Sequence, residues 1–278
     1  MTSVVLAATR TVEANRRAAI AQLARIETLS MLRRVSIWIG VAVSLAFIVT
    51  GAVAQEDWSS QKYQSLVPLG VFPMTMATFV AGVRSGNRDR STRGALADEA
   101  PLGGDQRTAA RLASLIVPVG FVVVAMAAIG VGSRIEGGFR VGDGQFRTDS
   151  AVHSVGELLQ PPLVVAVVGA AAIAIGRWVV RPGPALVVGV VVLFATGSVY
   201  WMWNAGYAYA TALMQVHPLG DLDVVHIPTV FLHDLYLLGL VGLFVGLSLR
   251  GASRPRLVMG GAVLAGLSVA AQLAVSPL

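Results

Sequence analysis

The chain has 278 residues, 55% of them hydrophobic and only 13% charged, with 21 Lys and Arg against 15 Asp and Glu. A soluble domain carries about 25% charged residues, and a mean hydropathy of +0.71 lies far from that class. With no cysteine, a disulfide framework and a thiolate metal site are both excluded.

In chain order, the arm 1–34 carries Arg10, Arg16, Arg17, Arg25, Arg33 and Arg34 against Glu13 and Glu27. No apolar stretch with a cleavage site precedes Val35, so it does not read as a secretory signal. An amphipathic helix along a membrane interface fits it better; an organellar presequence is the alternative. Seven apolar spans follow: Val35–Val53, Leu66–Val83, Leu112–Gly132, Leu158–Gly176, Ala185–Trp203, Phe231–Leu249 and Leu257–Val275. At 1.5 Å per residue, spans of this length match a hydrocarbon core roughly 30 Å thick. They read as helices, because a helix satisfies its own backbone in lipid and the alternation of a barrel strand is absent.

The gaps differ in charge. The arm, 84–111, the pair Arg177 and Arg181, and the trio Arg250, Arg254 and Arg256 hold 17 of the 21 basic residues. The intervening gaps hold only Lys62, Arg134, Arg140 and Arg147. Cytoplasmic loops retain Lys and Arg, which predicts a polytopic protein with its N-terminus inside and, with seven spans, its C-terminus outside. The same placement argues against nucleic acid despite a pI near 10.5, since anionic lipid would hold these residues. One transmembrane domain over 1–278 is expected, with no extramembrane segment long enough for a core of its own.

Within 84–111, Arg88–Ala100 is predicted to form a short helix that stops before Pro101. Pro68, Pro73 and Pro118 should kink the second and third spans. The gap Ser133–Glu157 is Gly-rich and reads as a loop. Asn204–Val230 has no Lys or Arg and many apolar residues, so short helices at the outer leaflet are expected, divided at Pro218 and Gly220. Trp201, Trp203, Tyr207 and Tyr209 fit an interfacial aromatic belt. His217, Asp221, Asp223 and His226 carry cation-binding chemistry, but their spacing fits no named site, and no metal is expected. His233 and Asp234, near the start of the sixth span, are pathway candidates; helix capping and the dipole are the competing account of Asp234. Gly239, Gly242 and Gly246 form a small-residue stripe for helix packing. No internal repeat is visible.

The chain cannot bind ATP through a P-loop, which requires Gly-Lys-Ser/Thr, because its only lysine is Lys62. No nucleophile–base pair or cofactor fingerprint occurs, so catalysis by this chain itself is not expected.

The segment from Arg88 and Arg90 through Arg93, Gly94, Leu96, Pro101, Arg107 and Thr108 resembles the first cytoplasmic loop of type-2 ATP-binding-cassette exporter permeases. In that family an arginine-rich stretch runs into Gly-Thr-x-Glu-x-Leu, a proline and Arg-Thr; here Ala95 replaces the Thr, and Asp98 and Glu99 lie out of register with the Glu. Arg25-Ile-Glu27 through Arg33-Arg34, leading into Trp38, is similar to the family's elbow helix. His233-Asp234-Leu235-Tyr236-Leu237 resembles a sixth-span stretch of actinobacterial members. The resemblance implies a bacterial cytoplasmic-membrane permease that exports an amphiphilic substrate (drug, peptide or lipid-like), working with a second permease protomer. Two separate ATPase subunits would hold ATP and magnesium. It further implies ATPase coupling through Arg25, Glu27, Arg33, Arg88, Arg90, Arg93, Pro101 and Arg107. An outer gate or pathway would include Trp203, Asn204, His233, Asp234 and Tyr236. Membrane lipid is the expected bound ligand. A secondary transporter and a non-transporting scaffold or sensor subunit are the alternatives. The first needs ionisable residues near the bilayer midplane, and the second needs no ATPase.

Overall fold

The computed structural model describes residues 18–54, 66–67, 70–90, 103–135, 155–179, 181, 183–184, 186–187, 189, 211, 213–214 and 227–275. Among them every regular element is helical. Helix α1 covers 18–32, followed by α2 (Val35–Ala54), α3 (Gly70–Gly86), a 3-10 turn (Asn87–Arg90), α4 (Gly104–Ala113), α5 (Ile116–Ile135), α6 (Val155–Trp178), α7 (Ile227–Ser248) and α8 (Arg254–Val275). Five helical stretches are long and apolar enough to cross a membrane: Val35–Val53, Gly104–Gly132, Gly156–Trp178, Pro228–Ser248 and Arg254–Val275. The chain is a helical bundle of the multi-pass membrane type.

The expected second span falls on α3, which begins at Gly70 rather than Leu66. The fifth lies outside the described residues except for helical positions at 186–187 and 189. Three further expectations lie outside them: the helix Arg88–Ala100, apart from 88–90 in the 3-10 turn, together with Pro101; most of Ser133–Glu157; and all of Asn204–Val230 except 211, 213–214 and the first turn of α7.

Pro118 acts one turn upstream of itself. Its ring clashes with the carbonyl four residues back, that of Ser114, and it supplies no N–H to close that turn. The chain therefore breaks at Ser114–Leu115, where Val117 N–H bonds Ser114 O at 3.2 Å and the Ser114 hydroxyl donates to Arg111 O at 2.6 Å. The break separates the amphipathic α4 from the apolar α5, so the last third of the expected 84–111 loop is helix. Pro161 and Pro162 lie inside α6 and leave the carbonyls of Glu157 and Leu158 without their usual intrahelical donors.

Helix α6 is the hub. It packs against α3, α5 and α7, while α2 packs on α3 and α8 on α7. Two-thirds of the α6 span is buried, against 17% of α2 and 22% of α8, so those two lie at the edges of the described bundle. Small residues allow the crossings. A Cβ at Gly82 of α3 would lie 2.7 Å from the Ala172 Cβ of α6, and one at Gly239 of α7 would lie 2.6 Å from the Ala265 backbone nitrogen of α8. Without a hydrophobic drive between helices in lipid, such close approach is how they gain packing energy.

Candidate functional site

The arginine-rich end of the bundle holds a network built around two acidic residues. The first is Glu27, on the face of α1 that also presents Ser30. Arg88, in the turn after α3, donates to Glu27 Oε2 at 3.2 Å and to Ser30 Oγ at 3.0 Å. Arg111 of α4 approaches Glu27 Oε1 at 3.9 Å. Arg34, just past α1, donates to the Ala81 carbonyl of α3. Glu27 thus joins α1, the turn after α3, and α4. Burial, then the neighbouring Arg88, pushes the Arg34 pKa down to about 10, so it stays charged at neutral pH. Arg34 feels Arg84, Arg88 and Arg111 but only Glu27 as an opposing charge. The cluster carries surplus positive charge.

The second is Asp105, in the first turn of α4, where a helix N-terminus favours negative charge. The same turn is closed by Gly103 N–H donating to Gln106 Oε1 at 3.0 Å. Asp105 Oδ1 accepts from Arg177 of α6 at 3.2 Å and from Arg250 N–H at 2.9 Å; Oδ2 accepts from Gly251 N–H at 2.6 Å. A Cβ at Gly251 would come within 2.5 Å of Oδ2, so the α7–α8 loop needs glycine there. Arg177 also donates to the Thr108 hydroxyl. Next to it, Trp178 Nε1 donates to Leu247 O at 2.8 Å, and its ring meets Arg250 at 5.3 Å and Arg254 at 5.0 Å. One carboxylate therefore holds α4, α6 and the α7–α8 loop together.

Of the expected coupling residues, Glu27 and Arg88 meet directly. Arg25 and Arg33 are exposed on or just after α1, and Arg107 is half-buried on α4. Arg93 and Pro101 lie outside the described residues, as does the side chain of Arg90. Sequence reasoning missed the roles of Asp105, Arg111, Arg177 and Trp178. The available signal was an aspartate just after Gly103-Gly104, the pattern of an acidic helix start.

The opposite end holds a buried polar group among apolar helices. His233 is fully buried, 5.4 Å from the Tyr236 ring, with Gln272 of α8 and the Leu213 backbone as polar neighbours. The Tyr236 hydroxyl donates to Thr211 O at 2.9 Å. Asp234 is buried with neither oxygen hydrogen-bonded among the described residues. It faces α6, where a Cβ on Gly156 would sit 3.1 Å from Oδ2; Glu157 and Gln160 are buried on that helix. The capping account of Asp234 does not hold. α7 starts at Ile227, with Pro228 in the first turn where proline is tolerated, so Asp234 lies two turns inside the helix. Trp203, Asn204 and the His217–His226 group lie outside the described residues, and the described residues contain no cluster of three or more metal-ligating side chains.

The glycine stripe of α7 packs on α8 of the same chain. A Cβ at Gly242 would be 3.5 Å from Gly261 Cα, and one at Gly246 would be 2.7 Å from the Val258 nitrogen. The chain matches no family model and no curated protein.

Proposed function

We propose that this chain is the membrane-spanning permease of an ATP-binding-cassette exporter, moving an amphiphile outward with energy from separate ATPase subunits that bind ATP and magnesium. One observation carries the reading: Glu27 and Arg88 fasten the interfacial helix α1 to the turn that opens the 84–111 loop. An elbow helix and a first loop in contact at this point would both receive a push from an ATPase below. The surplus of arginine around them suits carboxylates on such a partner, because the guanidinium fork pairs bidentately with carboxylate. The arginine-rich end would face the cytoplasm, and two permease protomers would enclose the substrate.

The test is affinity purification of the tagged full-length chain from its own host. A P-loop ATPase should co-purify, and Arg90→Glu with Arg93→Glu should keep the protein inserted while abolishing ATP-dependent export. Absence of any ATPase, or normal export by the double variant, overturns the reading. The orientation is checked separately. A cysteine placed at Ser91, in a chain with no native thiol, should resist impermeant maleimide in intact cells.

Asp234 favours a second reading, a secondary transporter. A buried ionisable group two turns inside a span is a coupling-ion candidate by default. Transport that persists without any ATPase and collapses with an ionophore would select it.

A further inference from the structure

Helices α2 and α3 run antiparallel, and their contacts fix the register. The space a Cβ on Gly40 would need is taken by Ala77, with the Pro73 carbonyl at 3.3 Å. One turn nearer the arginine-rich end, Arg34 bonds the Ala81 carbonyl. Arg33 stands beside Arg34 in the turn before α2, and Arg84 follows Ala81 within the next turn of α3, so both lie at this end of the helix pair. Both arginines are exposed, and among the described residues no hydrogen bond or ion pair engages either guanidinium.

Between the two helices an open groove of about 310 Å³ runs away from these arginines, walled by Ile39 and Val43 of α2 and by Pro73, Met76 and Val80 of α3. Ser36 stands at its charged end. Pro73 to Val80 spans roughly 10 Å at 1.5 Å per residue, within the ~15 Å depth of one leaflet's hydrocarbon. The walls stay open to the surroundings: Ile39 is 58% and Val43 39% exposed. An apolar groove that fits within one leaflet, with two guanidinium groups unpaired among the described residues at the same end, matches a molecule with an anionic head and an alkyl tail.

We infer that the α2–α3 groove binds one anionic phospholipid, with its phosphate held by Arg33 and Arg84 and an acyl chain lying between Ile39, Val43, Met76 and Val80. Charge selects this occupant. A second copy of the chain would bring the same two arginines, and a neutral lipid would leave them without a counter-charge. Guanidinium pairs with phosphate through two parallel N–H bonds, and the Arg34 charge one residue away adds to the attraction. The site stands whether or not the chain works with an ATPase; it assigns Arg33 to lipid rather than to the coupling surface.

The test is native mass spectrometry of the detergent-solubilised full-length chain with phosphatidylglycerol or phosphatidylcholine of identical acyl chains. The wild type should prefer phosphatidylglycerol roughly 30-fold, the effect of two arginines near one anionic headgroup. Arg33→Gln with Arg84→Gln should reduce the preference to about threefold or less, and Arg33→Lys with Arg84→Lys should retain part of it. Val43→Trp, which fills the groove, should weaken binding of both lipids. Arg181→Gln with Arg256→Gln, exposed arginines elsewhere in the chain, should change nothing. Preference that survives loss of Arg33 and Arg84, or that falls equally in the Arg181 and Arg256 control, overturns the site. So does a lipid-free dimer that cross-links through cysteines placed at Ile39.

Discussion

Asp105 and Asp234 are both aspartates at helix–helix contacts, and they live under opposite conditions. Asp105 opens a helix and accepts from one guanidinium and two backbone N–H groups. Asp234 lies two turns into an apolar helix, is 7% exposed, and is bonded by nothing among the described residues. The first is placed where the chain already offers donors, and it converts an arginine, a loop and a short helix into one joint. The second costs free energy that no local bond returns, since an unpaired carboxylate in an apolar setting is among the most expensive groups a fold can hold. Asp105 therefore explains how one end is held together. Asp234 needs an explanation outside stability.

The sharpest way to break this contrast is Asp105→Ala. It deletes three hydrogen bonds and takes the carboxylate away from Arg177, which keeps its bond to Thr108; the side chains of the pair are 9% and 33% exposed. Removing one partner of a fully buried pair costs about 3–5 kcal/mol; with Asp105 a third exposed, we expect a smaller but clear loss of about 2–3 kcal/mol, read as thermal stability in detergent micelles. A fall under about 1 kcal/mol would mean that Thr108 and water carry Arg177 unaided.

Adding Arg177→Met to that variant separates the lost bonds from the charge left without its carboxylate. Most of the penalty of a broken buried pair is the uncompensated ion, so the double variant should recover part of that loss. The loop donors at Arg250 and Gly251 remain unpaired in both variants. If the double variant unfolds as readily as the single one, loop capping dominates over the ion pair.

The reverse expectation holds for Asp234→Asn. The amide preserves shape and removes an ionisable group that nothing among the described residues pairs with. Stability should be unchanged or rise by about 1 kcal/mol. Any function that uses the carboxylate, as a pathway or ion-coupling group, should fail in the same variant. A strongly destabilised Asp234→Asn would reveal a structural partner and end the comparison.

These residues also mark what the sequence could tell. Five of the seven expected apolar spans were legible as long helices, because lipid leaves little choice: an uncharged run of this length must satisfy its own backbone, and the helix is the means. The Pro118 break was legible as a kink, though its position at Ser114 follows from the carbonyl the ring clashes with. The glycine stripe of α7 was legible as a packing face. The polar ties were not. Asp105 and Arg250 stand 145 positions apart, and no local periodicity signals which of the many arginines a given acid meets. For Asp234 the sequence supports both a pathway role and helix capping, for a local reason. Taking the helix to begin at Phe231 put the aspartate in the first turn, and the start at Ile227 moves it one turn deeper.

The smallest expected loss of stability falls on Arg88, and its smallness is informative. Arg88 bonds both Glu27 and Ser30, yet its side chain is 47% exposed. Exposed ion pairs contribute about 0–1 kcal/mol, because water screens the attraction and the ordered side chain loses entropy. Arg88→Gln should therefore lower stability by about 0.5 kcal/mol, far less than Asp105→Ala, although both delete a charged link between helices. If α1 and the turn after α3 transmit an ATPase stroke, that weak link is where the stroke passes. The variant should then keep its melting temperature within about 2 °C while ATP-driven export drops several-fold. Equal losses of stability and export would reduce Arg88 to a structural residue, and intact export would remove it from the coupling path.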